Sequence, residues 1–386
     1  MKLRILLVVV SCMLSVALGL LVRERAEGEP GKRSQNGVLV GLSLDTLKEA
    51  RWQVDRRLFV EKVNRLGGRV LDLSANSDDT TQISDVEKLI TQKVDVMVIV
   101  PHDGKAMAKA VRMAHAAGIP VIAYDRLIRD APLDLYLSFD NERVGELQAQ
   151  YLVSHLKTPG KGKIVRIYGS KSDNNAFMFK AGQDRVLKPL IERGDISVVH
   201  EDWADDWKPE NAKRIMNAAI SAHGRDFEGV LASNDGTAGG AILALTEEGI
   251  LEGKLVTGQD ADLVACQRIA RGTQTMTVYK PLQRLAESAA EVAMKLARRE
   301  VVVARSVVNN GERDVPSVLS DVVAVDRGNL RETVILDKFQ PEAEVFRGIS
   351  PPSPSPSANP SASPSPNANR VPNPIPNPTP SAAVTK

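Results

Sequence analysis

The sequence predicts an α/β protein of two doubly wound lobes, each a parallel sheet with helices on both faces. Three observations carry this expectation. From residue 38 onward, short β-branched runs alternate with longer segments of helical period, the pattern of repeated βαβ units. Ten such runs exceed what one domain of about 100 to 150 residues holds. The runs also end repeatedly in polar side chains, as strands do when they present groups to a ligand beyond the carboxyl edge of a sheet.

Taken in order, strands are expected at 38–44, 69–74, 94–101, 119–125, 133–140, 162–169, 196–202, 227–235, 254–260 and 273–280. Helices are expected between most of them, among them 49–66, 80–92, 106–117 and 211–222. The series divides near 139–141, where a new βα run begins, and right-handed crossovers make each sheet parallel. After Lys280 come the helical segment PLQRLAESAAEVAMKLARR and three weakly patterned stretches, VVVARSVV, DVPSVLSDVVAV and ETVILDKF, which finish both lobes.

The two ends have another character. Residues 1–36 read as a signal peptide or membrane anchor plus linker, because MKLR supplies positive charge and 5–22 is nearly all apolar before RERAEGEPGKR. Ala17-Leu18-Gly19 offers a cleavage site, Val9-Val10-Ser11-Cys12 resembles a lipoprotein box, and an apolar run of 18 residues lies near the lower limit for a membrane span, about 17 to 25. All three readings place the rest of the chain in the periplasm or on the outer face of the cytoplasmic membrane. Residues 349–386 turn to Pro, Ser, Asn and Ala, from which no core forms, so a disordered tail is expected.

Composition narrows the chemistry. Fifty basic against 48 acidic side chains leave a formal charge of +2, which lacks the basic footprint of a nucleic-acid binder. Two cysteines, Cys12 and Cys266, give no disulfide framework, and Cys266 reads as a small buried hydrophobe. The chain has no GxxxxGK[ST] loop, no GxGxxG after the first strand, no GxSxG elbow, and five histidines without metal-binding spacing. No cofactor, metal or catalytic residue is therefore expected.

What the chain does supply is a kit for hydroxyls. An ionised Asp accepts from two hydroxyls, Arg donates in a planar fork, Asn does both, and an aromatic face covers the apolar C–H patch of a sugar. Asp125 and Arg126 follow IPVIAY, Asn234 ends VLAS, Asp260 ends LVTGQ, and Lys280 ends MTVY where a crossing between domains is expected. Capping of the next helix accounts for Asp235, but not for the coincidence of the others. Trp52 stands ahead of the buried stripe Phe59, Val63, Leu66, and Trp207 lies in the loop before Pro209; both are candidates to face a ligand, while Trp203 reads as a packing residue. One of Asn174 and Asn175, in the loop after IVRIYG, is expected to touch it too.

The strings KEARWQVDR, VIAYDR, SFDNERVGELQA, DNNA, PENAKRIM, ASNDGTAGGAI, GQDADL and GTQTMTVYKP, in that order, resemble the xylose-binding proteins of bacterial ABC sugar importers, from Val38 to about Phe346. The resemblance implies a type I periplasmic binding protein, with two lobes joined by a three-strand hinge and closing on one pyranose. It places lobe 1 at 37–140 and 278–311 and lobe 2 at 141–277 and 312–348. It adds Arg51 to the sugar contacts Asp125, Arg126, Asn174 or Asn175, Asn234, Asp260 and Lys280, and has Trp52 and Trp207 sandwich the ring. The implied protein is a monomer that hands a monosaccharide, D-xylose first, to ABC permease subunits. The anchor-like start and the tail motivate a second expectation, a sugar sensor that reports to a membrane histidine kinase or chemoreceptor.

Overall fold

The computed structural model describes residues 37–349; the expected leader at 1–36 and the Pro/Ser-rich segment from residue 350 lie outside the described residues. Among the described residues, no helix is long and apolar enough to cross a membrane.

The first lobe starts with β1 (Leu39–Leu44), α1 (Ala50–Arg65), β2 (Arg69–Ser74), α2 (Asp79–Thr91), β3 (Val96–Val100), α3 (Ala108–Ala116), β4 (Val121–Tyr124) and β5 (Leu135–Phe139). β3, VMVIV, is buried at every residue, as a central strand covered on both faces must be. The chain then crosses into α4 (Asn141–His155), β6 (Gly162–Tyr168), α5 (Asn174–Glu192), β7 (Ile196–Trp203), α6 (Pro209–His223), β8 (Gly229–Ala232), α7 (Asp235–Glu247), β9 (Leu255–Val256), α8 (Leu263–Arg271) and β10 (Met276–Tyr279). It returns through α9 (Leu282–Ala297), β11 (Ser306–Asn309) and β12 (Asp314–Ser320), and ends with β13 (Val323–Asp326) and α10 (Glu342–Val345).

Strand order in the first sheet is β11-β12-β5-β4-β3-β1-β2, parallel apart from the edge hairpin, and in the second β7-β6-β8-β9, all parallel. β10 and β13 pair antiparallel with each other. Three segments thus pass between lobes: after β5, after β10, and between β12 and β13. The amphipathic helix α9 packs back onto α1, where Leu285, Ala289 and Met294 join Phe59 and Val63 in the core of the first lobe.

One boundary differs from the sequence expectation. Residues 312–348 do not all belong with the second lobe, because Asp314–Ser320 pairs in parallel with β5 in the first sheet. A boundary at 311/312 would cut the tight turn of the β11–β12 hairpin, whose strands are hydrogen-bonded at Asn309 and Asp314 and cannot separate. The third crossing comes after Ser320 instead.

In the second lobe α4 and α5 cross almost in contact. A Cβ on Gly145 would lie 1.9 Å from the Phe179 carbonyl oxygen, and one on Gly182 1.9 Å from that of Glu142. These reciprocal glycines hold α5, and the residues at its N-terminus, close against the cleft.

Candidate functional site between the lobes

The carboxyl ends of both sheets face each other across a cavity of about 120 Å³. Arg51, Trp52, Asp125, Arg126, Asn175, Trp207, Asn234, Asp260 and Lys280 all line it. Asn174 does not. It borders a separate surface cleft with Asp103 and Lys105, because both asparagines sit in the first turn of α5 and not in a loop, so successive side chains diverge.

Asp125 is fixed by strain and by hydrogen bonds. Its φ of 61° is left-handed, a conformation costing about 1–3 kcal/mol at a non-glycine residue, and it is held by the Asp125 amide donating to the Leu137 carbonyl at 2.7 Å. The Asp125 carbonyl in turn accepts from Ser138 Oγ at 2.6 Å, Tyr136 OH at 3.0 Å and Asn175 Nδ2 at 3.1 Å. The carboxylate meets Arg51 Nη2 at 2.7 Å through Oδ2 and Asn175 Nδ2 at 3.2 Å through Oδ1. Burial pushes this acid up, but Arg51, Lys280 and Arg126 outweigh it and hold its pKa below the ordinary value.

Arg51 anchors a larger network. Beyond Asp125 it reaches Asp55 at 3.3 Å, whose other oxygen accepts from the Tyr124 hydroxyl, and Asp260 at 3.5 Å. Asp260 belongs to the second lobe, has φ 98°, and accepts from Lys280 Nζ at 2.7 Å. Lys280, directly after β10, is 2% exposed, so this hinge cation is committed to the carboxylate beside it. Arg126 spans the cleft in the same way: it reaches Asp45 at 2.8 Å on its own lobe and Asp173 at 3.0 Å on the other.

The aromatic residues divide in role. The Trp52 ring is 3% exposed and carries the Arg51 guanidinium 4.1 Å and the Arg126 guanidinium 5.3 Å from its centroid, so it stacks both cations while reaching the cavity. Trp207 is half-buried at φ 58°, donates its indole N–H to Asp173 at 3.2 Å, and meets Phe179 edge-on. Gly169 makes room for it, since a Cβ there would fall 1.9 Å from the indole. Trp203 packs between Tyr168 and Phe177, as its position at the end of β7 suggests.

Asn234 takes the cap expected of Asp235 in addition to its own expected place at the cavity. Asn234 is the N-cap of α7, its Oδ1 accepting from the Thr237 amide at 2.9 Å in a capping box, and it lines the cavity as well. Asp235 is no cap: its buried carboxylate accepts from Gln274 at 2.7 Å, Thr277 at 3.0 Å and the Asp262 amide at 3.0 Å. Burial, with Asp262 and Asp260 adding repulsion, pushes its pKa well up. Further residues on the wall that sequence reasoning passed over are Asp173, Gln259 and Asp262. Asp173 was legible as an N-cap, the Asp of SDNNA ahead of an apolar periodic run. Gln259 and Asp262 flank Asp260 and carried no separate signal.

A cleft of this kind, with neutral and charged hydrogen-bonding groups from two hinged α/β lobes and an indole at its side, defines a receptor that encloses a small polar ligand. The family model described as "Periplasmic binding protein domain" matches residues 40–300, and the chain belongs to that family. It is 47% identical over 307 residues to the "D-xylose-binding periplasmic protein" of Haemophilus influenzae, covering 80% of this chain and 92% of that relative. It is 35% identical to the "Multiple sugar-binding periplasmic receptor ChvE" of Rhizobium radiobacter, covering 77% of this chain and 89% of that one. Among solved structures, a carbohydrate transporter solute-binding protein from Chloroflexus aurantiacus in complex with D-glucose superposes with a TM-score of 0.75 at 34% identity, over 79% of this chain and 97% of that one.

Proposed function

We propose that this protein captures one neutral monosaccharide, D-xylose before others, outside the cytoplasm and delivers it to the permease of an ABC importer. The observation that carries this reading is the double commitment of Asp125, Asn234 and Asp260. Each is held by protein partners through part of its hydrogen-bonding capacity while also lining the cavity, with further lone pairs open on the Asp125 and Asp260 carboxylates and the amide nitrogen on Asn234, so a ligand meets preoriented acceptors and donors. Hydroxyls suit such a wall because each donates and accepts at once. The 47% identity to proteins named for D-xylose binding, in two organisms, supports the choice of sugar.

The cycle follows from the hinge. Arg51, Arg126 and Asn175 make contacts across the cleft to Asp260, Asp173 and Asp125 that exist only with the lobes together. A sugar that adds bonds to both lobes shifts the population toward this closed form, which the permease would recognise. Trp207 and Trp52 contribute apolar cover for C–H groups.

Tryptophan emission titrated with a panel of aldoses tests it. D-xylose is expected to shift the emission at the lowest concentration, ahead of ribose, arabinose and galactose. Preference for another sugar would reassign the ligand, and silence with every sugar would remove the reading.

A further inference from the structure

The sugar cavity adjoins a second one. Glu49, Arg51, Pro209, Gly236 and Asp262 belong at once to its wall and to that of a second chamber of about 660 Å³. This outer chamber opens between the N-terminal turn of α1 in the first lobe and those of α7 and α8 in the second. It is larger than the inner cavity by a wide margin, and nothing in the capture of a single monosaccharide uses it.

Its lining has two characters. Val54, Leu263, Val264 and Phe339 give an apolar side, and Val264 is 58% exposed although it is a large hydrophobe. Asp262, Arg268 and Gln340 supply the polar side. Arg268 and Gln340 are tied to the protein, the first to Gln274 at 2.9 Å and the second to the Ala261 carbonyl at 3.0 Å. Asp262 is different. Its amide donates to Asp235, but among the described residues its carboxylate has neither an ion-pair partner nor a hydrogen-bond donor, although it stands at the junction of the two chambers. A carboxylate with open acceptor sites beside an apolar wall matches the edge and face of a pyranose: hydroxyls donate to the one, and ring C–H groups cover the other.

We propose that the outer chamber is a second saccharide subsite, so that the protein takes a neutral disaccharide, with one ring in the inner cavity and the other beyond Asp262, as well as the free monosaccharide. The proposal rests on the monosaccharide reading of the inner cavity. In this arrangement the two rings would lie in series on either side of Arg51 and Asp262, which line both chambers, with the glycosidic link passing between them. Occupation of the outer chamber would place a sugar ring between both lobes at their rim, adding contacts to the closed form.

Isothermal titration of the full chain with D-xylose and with β-1,4-xylobiose tests this, in the wild type and in Val264→Trp. Val264 borders the outer chamber alone, and its exposure lets an indole replace it without disturbing the core. The expected result is one-to-one binding of xylobiose within about tenfold of xylose, with Val264→Trp weakening xylobiose by about tenfold or more while xylose stays within about twofold. Binding of xylose without xylobiose overturns the proposal, as does xylobiose binding that Val264→Trp leaves unchanged. Loss of both sugars in the wild type places the failure in the inner cavity and removes the outer subsite with it.

Discussion

Arg126 and Asp173 meet at 3.0 Å, the one following β4 of the first lobe, the other capping α5 of the second. The same Asp173 carboxylate accepts the indole N–H of Trp207. A single acid therefore links a cation of one lobe to the aromatic wall of the other, and closure and ligand contact are coupled through it.

Asp173→Ala is expected to weaken sugar binding by about ten- to a hundredfold, since it removes an interlobe pair and frees Trp207. Arg126 keeps Asp45 at 2.8 Å, which limits the loss of stability. The check is calorimetric affinity together with small-angle scattering of the unliganded protein, in which the variant is expected to be more open. Unchanged affinity would show that the pair does not contribute to closure.

Lys280→Met leaves Asp260, whose side chain is 11% exposed, with Arg51 at 3.5 Å as its remaining cation. Removing one partner of a buried pair costs about 3–5 kcal/mol, and the residual Arg51 contact places this variant at the lower end. Urea unfolding measures it. A loss well under 1 kcal/mol would mean that water already screens Asp260.

Much of this was legible in the sequence, for a definite reason. Strands such as VMVIV and IPVIAYDR announce themselves by β-branched runs, and in a parallel sheet their last residues must meet at one edge, so Asp125, Arg126, Asn234 and Asp260 could be placed together from the pattern alone. Two kinds of information were hidden. Direction along a helix start was one: Asn174 and Asn175 are equivalent as letters, and the N-cap at Asp173 turns Asn175 inward. Long-range pairing was the other, because the register of β12 with β5 spans distant sequence and reassigns a whole strand between lobes. Asn234 illustrates a false choice, since capping and lining the cavity are compatible for a side chain with two polar atoms.

Asp262→Asn is expected to stabilise the protein at neutral pH. Burial, with repulsion from Asp260, raises the Asp262 pKa to about 6 from an ordinary 3.8. Between those values the folded state keeps a proton that the unfolded chain has released, so this group makes stability fall as pH rises through that window, with the penalty constant above it. Asparagine cannot ionise, and its neutral side chain also relieves Asp235. The difference in melting temperature between variant and wild type is expected to open from pH 4 to 6.5 in favour of the variant and then level. A difference independent of pH would contradict the assignment.

Acidic sugars are expected to be rejected. Glu49, Asp125, Asp173, Asp260 and Asp262 line the cavity against Arg51, Arg126 and Lys280, and all three cations are already in contact with carboxylates. A ligand carboxylate would find no unpaired cation there and would face repulsion in a low-dielectric site. Competition of D-glucuronate against a bound neutral sugar is the check; displacement at comparable concentration would show that one of the cations is available.

The most direct test of the central claim is isothermal titration of D-xylose into the wild-type protein and into Asp125→Ala. Asp125 is the acid that joins Arg51, Asn175 and the end of β4 at the cavity wall. The expected result is one-to-one binding with a dissociation constant of about a micromolar or tighter, near −8 kcal/mol, lost or weakened by about a hundredfold or more in the variant. Absence of heat with folded wild-type protein, or equal binding by Asp125→Ala, would contradict the account.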